Sequence, residues 1–346
     1  MTPKIEVSEF GRLPDGRLVK RYTLSSASGL RLCALDYGGI VTELWVPDAS
    51  GACANVVLGL DKLDDYVHRN QSIGVIVGRY ASRIADARFT LDGRTYQLDA
   101  NNFGQCLHGG REGFGAQLWQ AVPQEPDAGG SVSLLLRYTS ADGEMGFPGE
   151  MAVQVRYSLG PASTWRIDYE ARSDKPTVVN LCSHVYFNLA GGGTALGHEL
   201  TLNASRYSHS DERSIPLRIA SVEGTAVDFR QGKPVSDVAV NHNFLLDHPF
   251  DGELHPAARL VHHGSGRVME LSTTEPCVQL YASYYLDGSL KGNNGELLQQ
   301  GAGLCLETQH APDSPNHEAG PDWPTTVLRP GEVYRSSTEH RFGVQG

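Results

Sequence analysis

The sequence predicts an all-β fold of sheets packed face to face, and three observations carry that expectation. Apolar and polar residues alternate with period two in segment after segment, as in strands with one face inward. Those segments follow one another at short spacing with no helical crossover between them, which excludes a doubly wound parallel fold. The composition agrees, since 39 glycines and 18 prolines favour turns over long helices.

From Phe10 to Pro47 the alternation is broken by turn signals at Asp15-Gly16, Ser28-Gly29 and Gly38-Gly39, the pattern of a β-meander. After the apolar run Val56 to Leu60, residues Asp61 to Val67 suit one short helix capped by Asp61. Thr90-Leu-Asp-Gly-Arg-Thr-Tyr96 reads as a two-residue hairpin, because Asp92-Gly93 tolerates the positive φ angles of a type I′ turn. Further strands are expected at Ser131–Thr139, Met151–Leu159, Thr164–Ala171, Val178–Leu189, Leu200–Ala204, Val268–Ser272 and Cys277–Tyr285. No internal repeat, heptad or linker divides the chain, so residues 1–346 read as one β-sandwich domain with few short helices.

The formal charge of -11 repels nucleic acid and anionic membranes, leaving a neutral small molecule as the better partner. Six cysteines lie scattered without a C-x-x-C pair, mostly in apolar runs, as expected of free thiols in a reducing compartment. The N-terminal residues lack the basic-then-apolar build of a signal peptide, and no stretch approaches ~18 apolar residues. A cytoplasmic protein, monomer or homodimer, is the expectation.

Gly303-Leu-Cys-Leu-Glu-Thr-Gln309 reads as a buried strand with Leu304 and Leu306 on one face and Cys305, Glu307 and Gln309 on the other. Pro312 and Pro315 end it, because proline donates nothing to a ladder. A carboxylate among such neighbours is harder to ionise, which suits a general base; an edge glutamate paired with arginine is the bland alternative. In Val178–Leu189, Asn180, Cys182, His184, Tyr186 and Asn188 share a face opposite Val179, Leu181, Val185, Phe187 and Leu189. That polar row suggests a cleft floor, with His184 either a proton donor or a core histidine satisfied by a carbonyl. His108 precedes two glycines, Arg79 and Arg83 offer rigid donor forks, and Gln279 both donates and accepts. No zinc spacing, P-loop, dinucleotide fingerprint or serine elbow occurs, so no metal or organic cofactor is expected.

Taken together these segments resemble the aldose 1-epimerase family, the galactose mutarotases. The ordered motifs are Gly78-Arg-Tyr-Ala-Ser-Arg-Ile84, Leu107-His-Gly-Gly110, Gly113-Phe114 with Trp119, Asp142-Gly-Glu-Met-Gly-Phe-Pro-Gly149 and His184-Val-Tyr-Phe-Asn-Leu189. They continue through Val227-Asp-Phe-Arg230, Ser265-Gly-Arg-Val-Met-Glu270, Val278-Gln-Leu-Tyr281, Glu307-Thr-Gln-His-Ala-Pro-Asp313 and Pro330-Gly-Glu-Val-Tyr334.

The resemblance implies a large antiparallel sandwich with a sugar cleft, Glu307 as general base and His184 as general acid. It also implies sugar hydroxyls held by Arg83, His108 and Gln279, with Ser82 and Tyr186 beside them. Asn241 stands where the family has a sugar-binding Asp, and a neutral amide there changes the hydrogen-bonding offered to the sugar. Ser82 replaces a usual Asn, Cys277 a usual Gly and Tyr284 a usual Asn. The expected function is interconversion of the anomers of a free aldose, without cofactor. The alternatives are a sugar sensor on the same scaffold, or a glycoside hydrolase using Asp228 or Asp313 as second carboxylate.

Overall fold

The computed structural model describes residues 2–69 and 71–345, and its architecture is three large antiparallel sheets around a shared core, with four two-stranded ladders beside them. The N-terminal meander forms a five-stranded sheet in chain order: Lys4–Arg12, Leu18–Ser25, Arg31–Leu35, Val41–Pro47 and Cys53–Asn55. The largest sheet has nine strands, in spatial order Gln120–Gln124, Val132–Ser140, Met151–Gly160, Thr164–Ser173, Tyr334–Val344, Arg267–Thr273, His255–His262, Glu199–Leu202 and Lys233–Pro234. A six-stranded sheet runs Tyr186–Phe187, Leu304–Gln309, Cys277–Tyr281, Asn241–Leu245, Arg206–Ser210 and Pro216–Ser221.

Alternation decides which side chains face inward. In Met151–Gly160 the residues Met151, Val153, Val155, Tyr157 and Leu159 are buried, while Ala152 and Gln154 face water. These meet Leu24 and Leu32 of the meander and Val278, Leu280, Leu304 and Leu306 of the six-stranded sheet in a common hydrophobic cluster. Burying a side chain of this size contributes ~1.5–3 kcal/mol. The cluster therefore ties all three sheets to one another.

The Asp92-Gly93 hairpin is present, with φ of 51° and 78° at the two turn residues. The short helix runs Leu63–His68, starting two residues and ending one residue later than the sequence suggested, and Lys62 precedes it with no side-chain cap. Val178–Leu189 is not one strand. Thr177–Val178, Cys182–Ser183 and Tyr186–Phe187 pair in turn with Val327–Leu328, Ile76–Val77 and Leu304–Gln309. The period-two faces survive because each short pair preserves the alternation, with Val179, Leu181, Val185, Phe187 and Leu189 all in the core. Among the described residues no helix is long and apolar enough to cross a membrane.

Candidate active site

The ladder of the six-stranded sheet builds the floor of a cavity of about 360 Å³, within the range of small-molecule sites. Gln279 lies directly opposite Glu307, and Tyr281 opposite Cys305, so the four side chains share one face. Tyr186 sits opposite Cys305 from the other side, and Asn241 opposite Tyr281. Glu307 is the fourth residue of its strand and only 2% exposed.

The wall opposite is made by loops that lean on one another. Leu107 pairs with Arg83, and the next residue, His108, takes a left-handed φ of 54° and donates its amide to the Ser82 carbonyl at 2.9 Å. Gly109 follows at φ 83°, where a β-carbon would lie 2.1 Å from the Gly78 carbonyl, so only glycine lets the loop close. His184 leaves its short strand with its amide on the Val75 carbonyl at 3.0 Å.

Across the cavity His184 Nε2 lies 3.6 Å from Glu307 Oε1, both side chains being 5% exposed or less. Burial raises the proton affinity of Glu307 above the usual carboxylate range; the His184 and Arg83 charges and a thiol hydrogen bond from Cys182 oppose that only in part. The His108 ring stands edge-on to that of His184, with centroids 5.1 Å apart. Burial, with the His184 and Arg83 charges, holds His108 well below the usual histidine range. Arg83 is also buried, and its Nε donates to Asn102 Oδ1 at 3.2 Å.

His108, His184 and Glu307 each bring one donor atom within 4.8 Å of the others, the donor set of a divalent-cation site. The tautomer of His108 opposes that use. Its Nδ1 accepts from the Ser82 amide at 3.2 Å, which places the proton of the neutral ring on Nε2. His108 is thus set to donate a hydrogen bond, where a metal would need a lone pair.

The cavity brings together Ser82, Arg83, His108, His184, Tyr186, Asn241, Gln279 and Glu307, the eight residues to which the family resemblance gave a place in the site. Gln279, Asn241 and Tyr186 each spend part of their hydrogen-bonding capacity within the protein. Gln279 Nε2 donates to Asn241 Oδ1 at 2.6 Å, leaving the pair one free acceptor and one free donor end, and Tyr186 gives its hydroxyl to the Gln71 carbonyl at 2.8 Å.

Arg79 is a correction. Its guanidinium turns away and donates to the carbonyls of Pro148, Gly149 and Ala141 at 2.8, 2.9 and 3.1 Å, in a buried structural role. Asn180 and Asn188 also fail to reach the cleft. Asn180 holds the backbone of Ala81 and His310, and Asn188 that of Ala302. Tyr281 and Asn102 line the cavity without having been nominated, although Tyr281 shares the period-two face of Gln279.

Glu307 is the only carboxylate among the described residues lining this cavity. Asp228 is paired with Arg230 at 2.7 Å, and Asp313 accepts from the Ala85 amide at 2.9 Å. A hydrolase needs a second carboxyl group flanking the bond, and neither supplies it.

A family model described as aldose 1-epimerase matches residues 20–341. A galactose mutarotase of Bos taurus is 42% identical over 97% of both chains, and an aldose 1-epimerase of Escherichia coli K12 is 35% identical over 95% of this chain and 96% of its own. A solved galactose 1-epimerase from Lactobacillus acidophilus superposes with TM-score 0.86 at 26% identity, covering 99% of this chain and all of its own. An aldose epimerase homologue from C. elegans gives 0.84 at 28% with the same coverage. With its ordered motifs, its three-sheet architecture and relatives matched from end to end, this chain belongs to the aldose 1-epimerase family.

Proposed function

We propose that this chain interconverts the α and β anomers of a free aldose, with Glu307 as base and His184 as acid. An anomer opens when the C1 hydroxyl loses its proton and the ring oxygen gains one; rotation about C1–C2 and closure then give the other anomer. Both oxygens are bonded to C1, so the base and acid must stand side by side rather than on opposite faces of the ring. The 3.6 Å between Glu307 and His184 suits that demand and is the observation that carries the proposal. Closure reverses the two roles, and each proton transfer contributes on the order of 10² to 10⁴-fold. No net oxidation, group transfer or hydrolysis occurs, so the chemistry calls for no cofactor.

In this reading Arg83 and the Nε2–H of His108 donate to sugar hydroxyls, while Asn241 and Gln279 offer one donor and one acceptor between them; Ser82 and Tyr186 complete the wall. The names of the relatives point to galactose; glucose differs from it at C4, arabinose by the hydroxymethyl, and xylose by both. The same reading takes the chain as one cytoplasmic domain, monomeric or homodimeric, with no nucleic-acid or membrane partner. The shared core and the unpaired cysteines support it. The neutral pair at Asn241 and Gln279 favours a second reading, a sugar sensor without turnover.

Polarimetry on freshly dissolved α-D-galactose, α-D-glucose and α-D-xylose separates the two. Faster relaxation to equilibrium than in buffer, abolished by Glu307→Gln, is expected. Folded protein that accelerates none of the three, yet binds one, would establish the sensor instead.

A further inference from the structure

Each member of the proposed acid–base pair has a buried thiol as its neighbour on the side away from its partner. Cys182 Sγ donates to Glu307 Oε2 at 3.7 Å, leaving Oε1 for His184 and the sugar. Cys305 Sγ lies 3.5 Å from His184 Nδ1, the ring nitrogen that does not face Glu307. Both cysteines are fully buried and burial pushes both thiols well above their usual range, so each carries its proton. They come from different elements, Cys182 from the strand paired with Ile76–Val77 and Cys305 from the strand that carries Glu307.

We propose that Cys182 and Cys305 are positioning residues for the epimerase reaction, holding Glu307 and His184 while biasing the proton affinity of neither strongly. This rests on the acid–base reading above. Opening and closing the ring require Glu307 and His184 to exchange proton roles within each turnover, in both directions. A carboxylate at His184 Nδ1 would hold the ring charged, and a backbone carbonyl would only ever accept. A thiol does both: S–H donates to an unprotonated Nδ1, and sulfur accepts from Nδ1–H of the imidazolium, which gives its Nε2 proton to the ring oxygen and is left neutral with its proton on Nδ1. The weakness of the bond is then an advantage, because neither protonation state is locked.

Other charges bear on the same two groups. Arg83 faces Glu307, and Glu307, His108, Tyr186 and Tyr281 surround His184. Glu275 also acts on Cys182. None of these is altered by a change at sulfur.

The test compares Cys182→Ala, Cys305→Ala, the two serine variants and, as control, Cys33→Ala, whose thiol lies in the N-terminal sheet. Polarimetric kcat and KM on the best aldose are followed from acid to alkaline pH. Losing either thiol is expected to lower kcat about fivefold with KM within twofold, the effect of one weak hydrogen bond. Cys182→Ala also loses a donor that stabilises the Glu307 carboxylate, so the acid limb moves to higher pH, and Cys182→Ser returns it. Should the alanine variants fail to fold, the serine pair and ring ¹⁵N spectra of the unaltered enzyme decide. With Nδ1 served in either state, neutral His184 is expected to populate both the Nε2–H and the Nδ1–H tautomer. Limbs and kcat identical in all folded variants, or one tautomer alone, would overturn the proposal. A wild-type protein inactive on every aldose would instead overturn the acid–base reading on which it stands.

Discussion

Replacing Arg79 by Met should destabilise the fold and leave sugar recognition alone, although Arg79 stands four residues before Arg83 in one motif. Its guanidinium is 2% exposed, and burial lowers its proton affinity to about 10. It anchors residues 140–149, accepting nothing and donating to three carbonyls within 3.1 Å and to Ser140 Oγ at 2.6 Å. Methionine fills most of the volume over Phe147 but donates no hydrogen bond, so the carbonyls of Pro148 and Gly149, both buried, and of Ala141 lose a donor. At about 1–1.5 kcal/mol each, the loss is roughly 3–4 kcal/mol. For 346 residues the unfolding entropy is about 0.7 kcal/mol per degree, so Tm should fall by about 5 °C. Scanning calorimetry measures that, and polarimetric initial rates give KM. Arg83→Met should do the reverse, raising KM with little change in Tm. A tenfold rise in KM for Arg79→Met at unchanged Tm would refute the assignment and place its guanidinium on the sugar.

Three further outcomes are expected. Glu307 binds its proton more tightly folded than unfolded, so its favourable contribution is full below the ordinary value of 4.5 and is lost as pH rises through the folded value. Glu307→Gln should therefore unfold at higher denaturant than wild type at pH 8, with the gap closing in acid; a constant gap would contradict the cause given for the shift. Asn241→Asp keeps the acceptor used by Gln279 and adds a charged one toward the sugar, which should lower KM about fivefold. An unchanged KM would remove residue 241 from the binding wall. Trp165→Ala empties a fully buried site stacked on His340 at 4.7 Å and should cost about 3–5 kcal/mol in urea titration, with no selective effect on KM.

Ladders were legible where inward positions are apolar, as in Met151–Gly160, because burial and hydrophobicity then report the same face. Tyr334–Val344 escaped notice for the opposite reason. It lies in the middle of the nine-stranded sheet, yet its inward residues Ser336, Thr338 and His340 are polar and only 3% exposed. Thr338 bonds Thr308, and His340 stacks on Trp165. In the site, Glu307 and Gln279 could be read because register follows from alternation. Arg79 and Arg83 could not be told apart, since the left-handed turn at Ser82 between them sends one side chain into the core and the other into the cleft. The thiols beside Glu307 and His184 were visible as buried cysteines, but their partners depend on how two separate strands meet.

The segment from Thr177 to Phe187, with its three brief pairings, has a consequence for how the protein reaches its native state. Its partners lie at residues 76–77, 304–305 and 327–328, so every pairing closes a loop of roughly a hundred residues or more. Contacts that distant in sequence form late, after local hairpins such as Met151–Gly160 with Thr164–Ser173 have zipped. His184 reaches Glu307 only when those closures are complete. During refolding, strand content should return first and turnover last, which makes the rate of anomer exchange a reporter of the final closure rather than of collapse.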